Sequence, residues 1–238
     1  MTGRLCKIAD LIVEVPETGG LAPRLRDYLW EGDQTPDIVI RESDYRPTAW
    51  KGASGELYCY LESGMHFYAN LLYFGGMMLH ASAVAYGGRA YLFSGPCGIG
   101  KSTHTRLWQS LFGEEAVVFN DDKPALRCLN RRWYAYGTPW CGKDGINSNM
   151  KVPLAGICFL EQGSENHISL LKPAEALPLM LSQTLRHFKD TGKAYGMLGC
   201  LHGLLENIPV YRLVNRADAA SAQLSMETMQ SEALRRHL

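Results

Sequence analysis

Net charge is the first thing this sequence lacks. Its 24 lysines and arginines balance 24 aspartates and glutamates over 238 residues. That balance argues against a nucleic-acid partner and against an anionic membrane surface. Paired cysteines are lacking too. The seven cysteines, at 6, 59, 97, 128, 141, 158 and 200, are odd in number, scattered and never spaced C-x-x-C. This excludes a disulfide framework or a structural zinc site, and leads us to expect reduced thiols in a cytoplasm. The opening MTGRLCKIAD has no long apolar stretch of the kind a signal peptide needs. Charge is absent altogether from residues 63–88, so a membrane span has to be weighed. Ser63, His66, Asn70, Gly75, Gly76, His80 and Ser82 interrupt that stretch. It reads instead as a helix broken at Gly75-Gly76 and followed by a buried strand. There is no internal repeat and no low-complexity linker. At 46% hydrophobic and 20% charged, the chain suits one large domain, or a core domain with a small addition.

What is present begins with Gly95–Ser102. The segment GPCGIGKS fits the phosphate-loop pattern G-x-x-x-x-G-K-[ST] with no mismatch. Glycines let the backbone curl so that successive N–H groups aim at one oxyanion. Lys101 then reaches the β- and γ-phosphates, and the Ser102 hydroxyl ligates Mg²⁺. The expected nucleotide contacts are Gly95, Cys97, Gly98, Ile99, Gly100, Lys101, Ser102 and Thr103. Arg89–Phe93 reads as a strand entering the loop. Ser102–Phe112 reads as a helix, with Leu107, Leu111 and Phe112 at helical spacing. Strand, glycine loop and helix N-terminus are the context the motif requires, and the helix dipole favours a bound anion. Cys97 reads as a small tolerated side chain, with a redox-sensitive position as the alternative.

Strands are expected at 5–15 and 37–41. An amphipathic helix is expected through Leu57, Leu61, Met65, Tyr68 and Leu72. Residues 1–75 carry no chemical motif and are expected to form a small α/β layer packed on a nucleotide-binding core of residues 76–238. In that core, 78–85, a Tyr86-Gly87-Gly88 turn and 89–93 form a hairpin. Strands follow at 116–119, 125–129, 132–136, 154–160, 166–171 and 210–214. Pro173–Phe188 reads as a helix, kinked or restarted at Pro178. Asn215 is the expected cap of a last helix, with Asp218 favouring its dipole.

Asp121 and Asp122 end an apolar strand, at the distance from the loop expected of a second metal-binding segment. A carboxylate there holds Mg²⁺ directly or through water. The two point different ways, so one faces the metal and the other a substrate hydroxyl; a solvated acidic turn is the bland alternative. His80, mid-strand in MMLHASAV, is either a satisfied core histidine or a functional one. The second glycine-rich loop, Gly137–Lys143, either brings Lys143 and Trp140 over a phosphate or an acceptor, or is a surface turn anchored by Trp140.

The run LHASAVAYGGRAYLFSGPCGIGKST followed by VVFNDD resembles the catalytic domain of HPr kinase/phosphorylase and the wider group of related serine kinases. The resemblance covers about Leu79–Lys123, and Pro209–Leu234 more loosely. It implies an α/β fold with a mixed, mostly β core similar to the nucleotide domain of phosphoenolpyruvate carboxykinase. It also implies that His80 lies near the transferred phosphoryl group, and that Asp121 and Asp122 divide the roles of base and metal support. We assign the base to Asp121 and the metal to Asp122 with Ser102. Oligomers of like chains are a further implication. Two departures, Pro96 in place of an acidic residue and no recognisable substrate-gripping loop in 137–160, argue against HPr as substrate and against phosphorolysis.

The expectation is a kinase using ATP or another nucleotide with Mg²⁺. Its catalytic residues are Asp121, Asp122, His80 and Lys101, and its acceptor is a small-molecule alcohol or a peptide or protein serine. A non-catalytic nucleotide-binding module and a phosphoenolpyruvate carboxykinase are the rivals.

Overall fold

A computed structural model of the chain describes residues 3–17, 20–46, 55–186 and 189–236. Strand β1 (Arg4–Ile8) pairs antiparallel with β2 (Leu11–Val15), and the short β3 (Ile38–Val39) adds parallel to β2. The pattern at 5–15 predicts one strand. The chain instead reverses at Ala9 and Asp10, whose φ values of 52° and 60° suit a two-residue hairpin turn. Asp10 tolerates that conformation, but with Ala9 and no glycine beside it the pair is not a strong hairpin signal.

Helix α1 (Gly55–Leu71) ends in a short 3₁₀ turn, and Gly75 takes a left-handed φ of 66° before β4 (Gly76–Met78). The uncharged stretch is thus a helix, a break and a strand. No helix among the described residues is long and apolar enough to cross a membrane. The buried face of α1 is rotated from the expected one. Tyr60, Phe67, Tyr68 and Leu71 are buried, Leu61 and Met65 only partly so, and Leu57 is exposed.

The main sheet is mixed and has nine strands. Beyond β4 it contains β5 (Ala81–Tyr86), β6 (Arg89–Ser94), β7 (Val117–Asp122), β8 (Ala125–Leu129) and β9 (Arg132–Tyr136). It is completed by β10 (Lys151–Gln162), β11 (His167–Leu170) and β12 (Val210–Asn215). Strand β10 is its spine. Residues 151–153 pair antiparallel with β9, whereas 154–159 run parallel to β6 and 157–162 parallel to β12. Helix α2 (Lys101–Phe112) and the last helix, α5 (Ala219–Arg235), cover one face over Tyr91, Phe93, Trp108 and Met229. Helices α3 (Pro173–Ser182) and α4 (Thr191–Asn207) cover the other over Leu92, Ile157, Met180 and Leu204. A third cluster joins Ile8, Val13, Tyr60 and Phe67 to Met78, Tyr136 and Trp140, so residues on both sides of position 75 share one apolar core.

Four expectations are corrected. The predicted strand 78–85 is two strands, β4 and β5, broken at Leu79-His80, where the His80 N–H donates to the Gln183 carbonyl (2.7 Å). The predicted helix 173–188 ends at Ser182, and Pro178 sits inside it without breaking it; Phe188 lies outside the described residues. What stops α3 is tertiary: Gln183 and Thr184 are captured by His80 and by the Met78 carbonyl (2.6 Å). Helix α4 was not anticipated, because its four glycines lower helix propensity. Gly196 explains part of the cost, since a Cβ there would come within 2.7 Å of the Leu72 carbonyl. Finally, Asn215 ends β12 and does not cap α5. The cap is Asp218, whose side chain accepts from the Ser221 N–H (2.9 Å).

Candidate functional site

The topology brings three chain ends together. Strand β5 is antiparallel to both β6 and β7, with Ala81 opposite Ser94 on one side and Asp122 on the other. The exit of β6, the entry of β5 and the exit of β7 therefore share one edge. The 95–100 loop leaves β6 there and becomes the N-terminus of α2.

Gly98 and Gly100 have φ of 80° and 108°, values that side-chain-bearing residues rarely adopt. A Cβ at either would meet no atom within 4 Å, so there is open space beside both residues. Lys101 is buried and folds back, its Nζ donating to the carbonyls of Gly95 (3.0 Å) and Pro96 (3.1 Å). Burial pulls its pKa down, against the pull of Asp122, Cys97 and Asp121. The Ser102 hydroxyl bridges both oxygens of Asp121, at 3.0 and 2.9 Å. Behind it, the buried hydroxyls of Ser82 and Thr105 (2.8 Å) tie β5 to α2. Ile99 packs against the apolar cluster under α2, while Cys97 and Thr103 are exposed.

Asp122 belongs to a different set of partners. His80 Nε2 lies 2.9 Å from Asp122 Oδ1, and Lys123 Nζ pairs with Oδ2. The other ring nitrogen, Nδ1, faces Gln183 Oε1 at 3.1 Å. Burial opposes charge on Asp122, but His80 and Lys123 outweigh it and hold the carboxyl well below the usual range. Its φ of 100° is strained for a residue with a side chain. Surrounding bonds hold that strain. Asn120 accepts from the Lys123 N–H (3.1 Å), and the Lys123 carbonyl takes the hydroxyls of Tyr68 (2.5 Å) and Thr138 (3.0 Å).

The 137–150 segment flanks β7. The Asp121 N–H donates to the Ile146 carbonyl (3.1 Å), and the Gly142 N–H to the Asp121 carbonyl (2.5 Å). Trp140 is fully buried, stacked on Phe67 at 4.7 Å with its Nε1 donating to Ser63 (3.0 Å). It anchors the loop, with its ring held in the core. Lys143 is exposed, next to Asp144, which pairs with Arg106 of α2.

The expected residues thus fall into two groups on one edge: Lys101, Ser102 and Asp121 on the loop side, and His80 and Asp122 on the other. Lys123 and Gln183 were missed. Lys123 was in plain view after the aspartates. Gln183 had no signal, since it arrives from the end of α3. Among the described residues, no three His, Cys, Asp or Glu side chains converge to hold a metal ion. All seven cysteines are free thiols.

A family model described as "SynChlorMet cassette protein ScmC" matches residues 56–219, and the chain belongs to that family. No curated protein matches the sequence. Among solved structures, the chain has a distant likeness to the Hpr(Ser) kinase/phosphatase from Coxiella burnetii. The two share 12% identity at a TM-score of 0.38, over 68% of this chain and 99% of that one.

Proposed function

We propose that the chain is a Mg²⁺- and nucleotide-dependent phosphotransferase acting on a hydroxyl group. The observation that carries this reading is the bond from Ser102, the last residue of the loop motif, to Asp121, beside an Asp122–His80 pair on the same sheet edge.

The residues suit the groups they would hold. The open space beside Gly98 and Gly100 leaves room for phosphate oxygens, and α2 starts there without a side-chain cap, so its dipole favours an anion at that end. Ser102 and Asp121 offer hard oxygen donors. Two protein donors, with phosphates and water completing the shell, match the way Mg²⁺ is usually held. Bound there, the Mg²⁺–nucleotide would supply the phosphoryl group and neutralise part of its charge. Lys101 would exchange two loop carbonyls for phosphate oxygens, a short swing for a lysine already at the loop. This division exchanges the roles first assigned to the carboxylates: Asp121 goes with the metal and Asp122 with the acceptor.

Asp122 orients the acceptor hydroxyl and takes its proton as the new oxygen–phosphorus bond forms and the nucleoside diphosphate leaves. A weakly basic carboxylate is sufficient, because the loose transition state asks the protein mainly for positioning and charge stabilisation. His80 fixes the rotamer of Asp122, and Gln183 fixes the ring of His80.

The test is transfer of label from γ-labelled ATP with Mg²⁺ to a panel of amino alcohols, sugars and serine peptides, with Lys101→Ala as the blank. Label on a hydroxyl in the wild type but not in the blank is the expected result. Full transfer by a folded Lys101→Ala protein would sink the proposal. Nucleotide binding with no transfer to any acceptor would leave a binding module.

A further inference from the structure

Beside the Asp122–His80 pair lies a cavity of about 120 Å³ that the chemistry above does not use. Its walls include Leu61, Met65, Met78, Leu185 and the ring of Trp140, with Lys123 as its one charged member. Four of these residues adjoin the site along the chain. Met78 precedes His80 by two residues, Lys123 follows Asp122, Trp140 is two from Gly142, and Leu185 is two from Gln183. Lys123 is both a wall of the cavity and the ion-pair partner of Asp122. Lys123 thus joins the cavity to the Asp122 ion pair, the carboxylate that this reading gives to the acceptor.

Its chemistry is apolar. The polar groups of its aromatic walls are already satisfied. The Tyr60 hydroxyl donates to the Cys141 carbonyl (2.6 Å), that of Tyr68 to the Lys123 carbonyl (2.5 Å), and Trp140 Nε1 to Ser63 (3.0 Å). A guest there gains contact and loses water but finds no hydrogen bond from these aromatic walls. Dry apolar cavities of about 150 Å³ accept a benzene ring, so the volume here suits one branched aliphatic side group. The rotation of α1 noted above has the same consequence: Leu61 and Met65 face this space and are only partly covered.

We infer that this cavity is the acceptor's specificity subsite: the hydroxyl at Asp122 belongs to a molecule whose small, branched apolar side group sits between Leu61, Met78 and Trp140. This rests on the phosphotransferase reading for the hydroxyl's fate, but not for the binding of the side group. Two sources share the chemistry, a free amino alcohol and a serine peptide with an apolar neighbour.

The experiment compares leucinol with ethanolamine, and Ser-Leu with Ser-Gly, as acceptors and as ligands. Binding is followed by ligand-observed NMR and transfer by labelled ATP. Wild-type protein should favour the apolar member of at least one pair by about 10-fold or more in kcat/KM. Filling the cavity with Leu61→Phe, or with Met65→Phe should the first not fold, should bring that ratio near one and leave the KM for ATP unchanged. Preference within the first pair alone points to a free alcohol, and within the second alone to a peptide. If nothing is phosphorylated, saturable binding of leucinol or Ser-Leu that the filled variant loses still supports the subsite, while the phosphotransferase reading fails. No saturable binding of either apolar probe, equal turnover within both pairs, or a preference that survives filling would overturn the inference.

Discussion

The two sides of the site are built in opposite ways. The loop side takes its geometry from Gly95–Ser102, eight consecutive residues, and from the strand and helix that flank them. The facing side draws His80, Asp122, Trp140 and Gln183 from four separate stretches, joined by contacts such as the 103-residue separation between His80 and Gln183. A locally encoded site is cheap to specify and carries general chemistry. A site assembled from distant segments depends on the whole core being in place, and that is where selectivity can be tuned.

The largest effects should separate the two sides. Lys101→Ala should lower both nucleotide affinity and transfer, the latter by about 10³-fold, as loss of a phosphate-stabilising donor does. Asp122→Asn should cut transfer by about 10²–10⁴-fold and leave nucleotide affinity, measured by titration calorimetry, where it was. Equal losses of nucleotide binding in both variants would erase the distinction. Next is Trp140→Ala. Removing a fully buried ring from the core beneath the facing side should cost about 3–5 kcal/mol in urea unfolding. Loss of acceptor turnover should set in with it at temperatures where the loop side still binds nucleotide.

A pH experiment sharpens the loop side. His104 of α2 is buried against Phe93 with Nε2 at 3.0 Å from Ser225 and, among the described residues, no partner for Nδ1, and burial pushes its pKa down to about 4. The fold thus binds this proton less readily than the unfolded chain. The contribution is absent above the ordinary histidine pKa of about 6.5, and stability then falls toward pH 4 by about 3 kcal/mol in all. His104→Asn should flatten that part of the stability–pH curve, and an unchanged slope would assign it to other groups. The smallest effect belongs to Gln183→Ala. It should slow transfer about 10-fold by freeing the His80 ring, with the KM for nucleotide unchanged; the conservative Gln183→Glu should restore part of the loss.

Legibility followed the same division. The strand–loop–helix unit, the Gly87-Gly88 hairpin and the break at Gly75 were readable, because glycine at a positive φ leaves a mark in sequence. The turn at Ala9-Asp10 left only a weak one, in Asp10. Helix α4 was hidden by glycines that serve close packing, and α3 was read too long because what ends it is a hydrogen bond to His80. The aspartates were legible at the strand end, but their partners were not: Ser102 bonds Asp121, while His80 and Lys123 pair with Asp122. Adjacent carboxylates on a strand point apart, and nothing in the order Asp121-Asp122 says which of them meets Ser102.

What the order of residues decided alone is the glycine loop, since backbone conformation and N–H direction there follow from which positions lack a Cβ. Which carboxylate faces Ser102, what orients His80, and the apolar space beside Lys123 were decided by packing. Each depends on strands and helices far apart in the chain meeting at one sheet edge, and a distance across the core has no trace in local spacing.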